Sequence, residues 1–314
     1  MHKPFKYLAR WVALTVLGVL GLAVYLAYGY RPPEEIRPAN FPFQVTLQIV
    51  ETERYRFNTV RLGQGKPLVL IHGAGTWLYS YRHSFPVLAK THAVHVFDMP
   101  GHGFTTALQA PSRYDLPYMS AAILEYLDYH KLSKVSLVGH SFGGGWALYF
   151  AQRYPERVEK LVLLAPRALD TPYKREWQMM KYPMIGELFS KFFSKNDIRR
   201  GLEDAYFHKY EVTEDAVDNT YIPLTLPENR RAQYRLVRDS DWRLTTSGMR
   251  GMRVPTLILW GEKDQYLPVE QLTELKARMP NVRAQVLDQC GHALQEECAD
   301  RVNRIVAEFL ASAE

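Results

Sequence analysis

Residues 134–145 read KVSLVGHSFGGG: an apolar, strand-like run leads into a serine set two residues after one glycine and two before another. The strand ends at Gly139 and the following sequence, WALYFAQRYPERV from Trp146, has helical character, so a helix is expected to begin near Phe142. The turn between them must be sharp. It would hold Ser141 in a strained conformation with its hydroxyl exposed above the sheet, and glycines at 139 and 143 would let strand and helix approach closely. A serine placed this way is presented for attack on a substrate.

The sequence around this turn sets the fold class. QVTLQIV and RYRFNTVRL, from Gln44 and Arg54, alternate as antiparallel strands do. After them come short, continuously apolar runs separated by helix-length segments: PLVLIH, HAVHVFD, KVSLVG, EKLVLLAP, VPTLILWG and NVRAQVLD. That rhythm indicates an α/β protein with a mostly parallel central sheet of about eight strands, buried by helices on both faces. One interval breaks it. Between Pro166 and Val254 the pattern is helical with no convincing strand, which predicts a helical cap inserted over the carboxyl edge of the sheet, where open α/β sheets bind ligands. The expected organisation is a first core part at 44–167, a cap at 168–250 and a second core part at 251–314.

A serine hydroxyl is a weak nucleophile and needs a base, which in turn needs an orienting acid. In a strand–turn–helix setting of this kind, the expected chain order is Ser, then Asp or Glu, then His. Asp264 follows VPTLILWG in GEKDQYLP, and His292 follows NVRAQVLD in QCGHALQEE. Both lie just past predicted strand ends, on the edge that carries Ser141. The assignment is Ser141 as nucleophile, His292 as general base and acid, and Asp264 as the carboxylate that fixes its tautomer. Glu262 and Asp288 are the neighbouring acids, and Asp264 is preferred as the one far enough past its strand. An oxyanion needs backbone donors, expected from the N–H groups of Phe142 and of Ala74 in HGAGTW.

The motifs HGAG (72–75), DMPGHG (98–103), GHSFGG (139–144), GEKD (261–264) and GH (291–292), in this order, resemble the α/β-hydrolase superfamily from about residue 44 to the C-terminus. The resemblance implies that Asp98 and its glycines form a structural turn. A serine at the elbow separates the chain from the similar haloalkane dehalogenases and epoxide hydrolases, which use aspartate there. The elbow is shared by esterases and by carbon–carbon bond hydrolases of aromatic catabolism. Within the superfamily, an N-terminal membrane helix followed by DMPGHG and a capped hydrolase core looks like the membrane-anchored monoacylglycerol lipase and esterase type.

Residues 11–30, WVALTVLGVLGLAVYLAYGY, contain no ionisable acid or base. As a helix they would extend about 30 Å, the thickness of a bilayer's hydrocarbon core, with Trp11, Tyr25, Tyr28 and Tyr30 near the ends. A transmembrane helix through the lipid bilayer is expected, followed by a proline-rich linker at 31–43. A cleaved signal peptide is the alternative, with Ala27 and Gly29 as a small-x-small site. Lys3, Lys6 and Arg10 precede the segment, while Arg31 and Arg37 follow among two glutamates. This favours a cytoplasmic N-terminus at 1–10 in a bacterial-type inner membrane and an exported catalytic part.

The formal net charge is +6, and half of that excess flanks the apolar segment, so no electrostatic footprint for nucleic acid exists. The two cysteines, Cys290 and Cys298, form no disulfide scaffold and no zinc-ligand pattern; unpaired thiols are expected, with a single bridge as the other option. In the cap, WQMMKYPMIGELFSKFF (177–193) offers methionine and aromatic surface suited to an acyl chain, to docking on a bilayer, or simply to packing. Trp77, Trp177, Met180 and Phe189 are the candidate substrate contacts. The leading expectation is hydrolysis of lipid-like carboxylic esters through an acyl-enzyme, with no cofactor or metal. The alternatives are a carbon–carbon hydrolase or amidase using the same three residues, and a non-catalytic tethered binding module.

Overall fold

The computed structural model describes residues 3–34, 45–173 and 175–313. The expected linker at 31–43 therefore lies largely outside the described residues. The strands are β1 (Gln48–Glu51), β2 (Tyr55–Leu62), β3 (Lys66–Ile71), β4 (His92–Phe97), β5 (Thr106–Ala107), β6 (Val135–His140), β7 (Val158–Leu164), β8 (Thr256–Gly261) and β9 (Val282–Leu287). They form one nine-stranded sheet in the order β1-β2-β4-β3-β6-β7-β8-β9, with β5 pairing β2 off this path. The ninth strand, β5, has only two residues and carries no periodicity a sequence could reveal. β1, β2 and β5 pair antiparallel, and from β4 through β9 every pairing is parallel.

Burial follows position in the sheet. The central strand β6 is buried at all six positions, between β3 and β7. This is why its sequence is apolar without alternation. β9 lies at the edge, and of its six residues only Leu287 is buried, with Val286 43% exposed.

Between β7 and β8 the described residues form helices and no strand: Arg175–Met179, Pro183–Lys191, Lys195–Ala205, Glu214–Leu224, Pro227–Asp239 and Arg243–Gly248. Ser194 and Asp197 cap the third of these reciprocally, which fixes where it starts. Buried Leu202, Tyr206, Ala216 and Val217 gather with Ala293 into a small core of their own. Ala293 follows His292, so the inserted helices pack directly on the loop that carries the histidine.

The N-terminal helix runs Lys3–Val24 and widens into a π turn at Tyr25–Gly29. Arg10–Gly29 forms a candidate membrane span of 20 residues with mean hydropathy 2.0. Cys290 and Cys298 are joined by a disulfide, with their Cα atoms 6.2 Å apart. The expectation of two unpaired thiols is corrected here: a turn and a short helix after β9 fold the chain back over eight residues, which spacing alone does not reveal.

Candidate active site

Ser141 sits at φ 52° and ψ −121°, a left-handed conformation that a non-glycine residue adopts only when its surroundings enforce it. The enforcement is visible. A Cβ on Gly139 would lie 2.5 Å from the carbonyl oxygen of Gly143, and one on Gly143 would lie 2.2 Å from that of His72. Backbone crosses backbone here, so neither position accepts a side chain. Helix Phe142–Arg153 begins immediately after the serine, and its first amides have no intrahelical acceptor. The HGAG loop arrives from β3: a Cβ on Gly73 would lie 3.1 Å from Ser141 Cβ. Both expected donor segments, at Phe142 and at Ala74, thus flank the serine.

His292 Nε2 is 2.9 Å from Ser141 Oγ, and His292 Nδ1 is 2.8 Å from Asp264 Oδ2. Asp264 is fully buried at its side chain, and its other oxygen, Oδ1, accepts from the backbone N–H groups of Tyr266 at 2.8 Å and Leu267 at 2.9 Å. A buried acceptor-only group of this kind orients the imidazole so that Nδ1–H points at the carboxylate and Nε2 accepts from the serine hydroxyl. The histidine is held from several sides. Its backbone N–H donates to Ala205 O at 2.7 Å, and Tyr266 stacks on its ring with centroids 5.2 Å apart. His140, the residue before the nucleophile, directs Nε2 at the carbonyl of His292 at 2.9 Å. Burial, then the neighbouring His292, lowers the proton affinity of His140 to a pKa of about 3, so it stays neutral and donates.

Ser141 and His292 open onto a cavity of about 520 Å³ whose other walls include Arg167, Tyr173, Trp177, Tyr266 and Leu267. Trp177 is where the sequence expected a substrate contact. The other three candidates are not among the lining residues. Trp77 is buried in the core, where its Nε1–H donates to Asn219 O at 2.7 Å. Met180 is buried within the helical stretch between β7 and β8, and Phe189 in the same stretch is 48% exposed. Sequence patterning marks these residues as apolar but not which way they face.

The lining residues that were missed lie in two loops. Arg167 and Tyr173 follow β7 in APRALDTPY; Tyr266 and Leu267 follow Asp264. Position past a strand's carboxyl end was the available signal. The Arg167 guanidinium stacks over Tyr173 at 4.3 Å, and Nη1 donates to Thr171 Oγ1 at 2.8 Å. Burial lowers its pKa.

Asp98 takes no part in this cavity. It is buried and accepts from Asn58 Nδ2 at 2.7 Å and from the amides of Leu78 and Phe104 at 2.8 and 2.9 Å. Gly103, at φ 53°, leaves no room for a Cβ beside its carboxyl group. The motif DMPGHG is a turn.

A family profile described as alpha/beta hydrolase fold matches residues 66–299. The chain is 27% identical over 276 residues to a 2-hydroxy-6-oxo-6-phenylhexa-2,4-dienoate hydrolase from Burkholderia cepacia, covering 85% of this chain and 96% of that protein. Among solved structures, a meta-cleavage product hydrolase from Pseudomonas fluorescens IP01, complexed with acetates, superposes with a TM-score of 0.73 at 26% identity, covering 85% of this chain and 99% of that one. A carboxylesterase from Bacillus subtilis superposes with a TM-score of 0.75 at 17% identity, covering 86% and 93%.

Proposed function

The chain belongs to the α/β-hydrolase fold family, and from that premise we propose that it is a membrane-anchored serine hydrolase that cleaves lipid-like carboxylic esters, monoacylglycerols among them, through an acyl-enzyme. The observation that carries this reading is the Ser141–His292–Asp264 relay at 2.9 and 2.8 Å beside a cavity walled largely by apolar and aromatic side chains. His292 Nε2 takes the Ser141 proton as Oγ attacks the ester carbonyl carbon. The amides of Phe142 and Ala74 hold the resulting oxyanion. His292 then returns the proton to the departing alcohol, and water cleaves the acyl-enzyme by the same steps in reverse.

The segment 168–250 acts as a cap over the two core parts, 44–167 and 251–314. Residues 11–30 anchor it in a bacterial-type inner membrane, with residues 1–10 cytoplasmic and the hydrolase part exported. The Cys290–Cys298 disulfide supports export, because such bridges persist in oxidising compartments. A second reading is carbon–carbon bond hydrolysis by the same three residues, favoured by relatives whose names describe dienoate hydrolases.

The test is turnover of p-nitrophenyl esters of increasing acyl length and of a monoacylglycerol, alongside a vinylogous 1,5-diketone, by the full chain in detergent. Rates that rise with acyl length and exceed diketone cleavage support the ester reading. Faster diketone cleavage replaces it with the second, and preference for short esters removes the lipid assignment.

A further inference from the structure

Helix Pro183–Lys191 in the cap is inverted relative to a normal surface helix. Gly186, Glu187 and Ser190 face inward, where Tyr234 donates to Glu187 Oε1 at 2.6 Å. The outward face carries Tyr182, Met184, Phe189 and Phe192 at 65%, 37%, 48% and 53% exposure, with Ile185 and Leu188 half-buried between them. A helix that turns glycine, serine and glutamate inward and its aromatics outward has its apolar partner outside the protein.

The N-terminal helix ends against this same element. Lys191 Nζ donates to the carbonyls of Ala27 and Tyr30 at 2.5 and 2.8 Å, groups that a helix terminus leaves without amide partners. Tyr30 stacks on Phe192, with centroids 5.9 Å apart and the rings within 9° of parallel. Arg230 fixes the junction further, donating to Lys191 O at 3.0 Å and to Pro33 O at 3.3 Å. The outward face therefore continues into helix 10–29, on which Leu14, Leu17, Val19 and Leu22 are more than half exposed. Exposed Arg31, Lys181 and Arg231 border it.

We propose that the outward face of helix Pro183–Lys191 lies in the headgroup layer of the same bilayer that residues 10–29 cross, so that Lys191 and Phe192 fix the cap, rather than the sheet, against the membrane. This rests on the membrane-anchored reading above. A large aromatic and methionine face with basic residues at its border is the composition of helices that lie in the plane of an anionic interface. The segment leading into the helix carries Trp177, a wall of the cavity, so docking sets the cavity's cap side next to the lipid from which an apolar substrate would enter.

The test uses the full chain in nanodiscs containing phosphatidylglycerol, with a nitroxide at Met184→Cys or Phe189→Cys and a control at Tyr210→Cys, which is 81% exposed elsewhere on the cap. Both native cysteines are bridged, so labelling is specific. The ratio of oxygen to nickel-chelate accessibility at 184 and 189 is expected to exceed that at 210 by about threefold or more. A label at 189 as aqueous as the control, in protein that co-elutes with the discs, overturns the docking. Protein that does not co-elute with the discs overturns the anchoring beneath it. Spin–spin broadening at 189 that appears in lipid-free detergent and in discs holding more than one chain, and that vanishes on dilution with unlabelled protein, assigns the face to a second copy and overturns the lipid occupant.

Discussion

Breaking the Cys290–Cys298 bridge is expected to lower stability while sparing most of the catalytic rate. The bridge closes a loop with a sequence separation of 8, and His292 is the second residue after Cys290. On the chain-entropy account, closing a loop of this size is worth about 2.5 kcal/mol. In a domain this large each kcal/mol moves the melting temperature by roughly 2–4 °C, so a fall of about 5–10 °C is expected. His292 itself is also held by Ala205 O, and Gly291 donates to Glu297 Oε1. Those bonds survive reduction. The loss in kcat should therefore stay well below the roughly 100-fold that a 1 Å misplacement of a catalytic group costs. The measurement is melting temperature and ester turnover for the wild type with and without dithiothreitol, repeated on Cys290→Ala/Cys298→Ser. A melting temperature indifferent to reduction would show that the bridge adds no stability, and a kcat that collapses 100-fold while the fold persists would show that it positions His292.

Further outcomes follow from the site and the core. Asp264→Asn keeps the hydrogen-bonding shape but misdirects the histidine tautomer, and should lower kcat by about 10⁴-fold with little change in melting temperature. Gly139→Ala places a Cβ 2.5 Å from Gly143 O, so thermal denaturation should show a loss of about 1–3 kcal/mol, typical of overpacking. Burial holds His95 and His102 at about 4 and His140 at about 3, below their unfolded values. Stability from these groups is full above about pH 6.5 and is lost as the pH falls towards 4, at about 2–3 kcal/mol per histidine. A melting temperature flat between pH 7 and 4.5 contradicts that. Trp177→Ala should reduce kcat/KM for long acyl esters more than for acetate, since the ring walls the cavity; equal losses show that it does not meet the acyl chain.

That Ser141, Asp264 and His292 come together was legible in the sequence because each falls just past a strand's carboxyl end, and parallel strands put all those ends on one side. Ser141 was further marked by two glycines whose need is steric. The lining of the cavity was not legible in the same way. Trp77, Met180 and Phe189 share composition with Trp177, but only side-chain direction decides which of them faces the cavity. The helix at 183–191 shows the limit of the apolar-inside rule, because its polar residues turn inward onto Tyr234. The disulfide was equally hidden, since a spacing of eight fits a bridge or two separate thiols until the chain reversal after β9 is known.

Every rate expected above requires Ser141 to act as the nucleophile. Intact-mass analysis after reaction with a fluorophosphonate, on the wild type and on Ser141→Ala, tests it most directly. One covalent adduct that maps to Ser141 is expected on the wild type and none on the variant, with ester turnover lower in the variant by at least about 10⁴-fold. An adduct retained by Ser141→Ala, or turnover that survives the substitution, contradicts it.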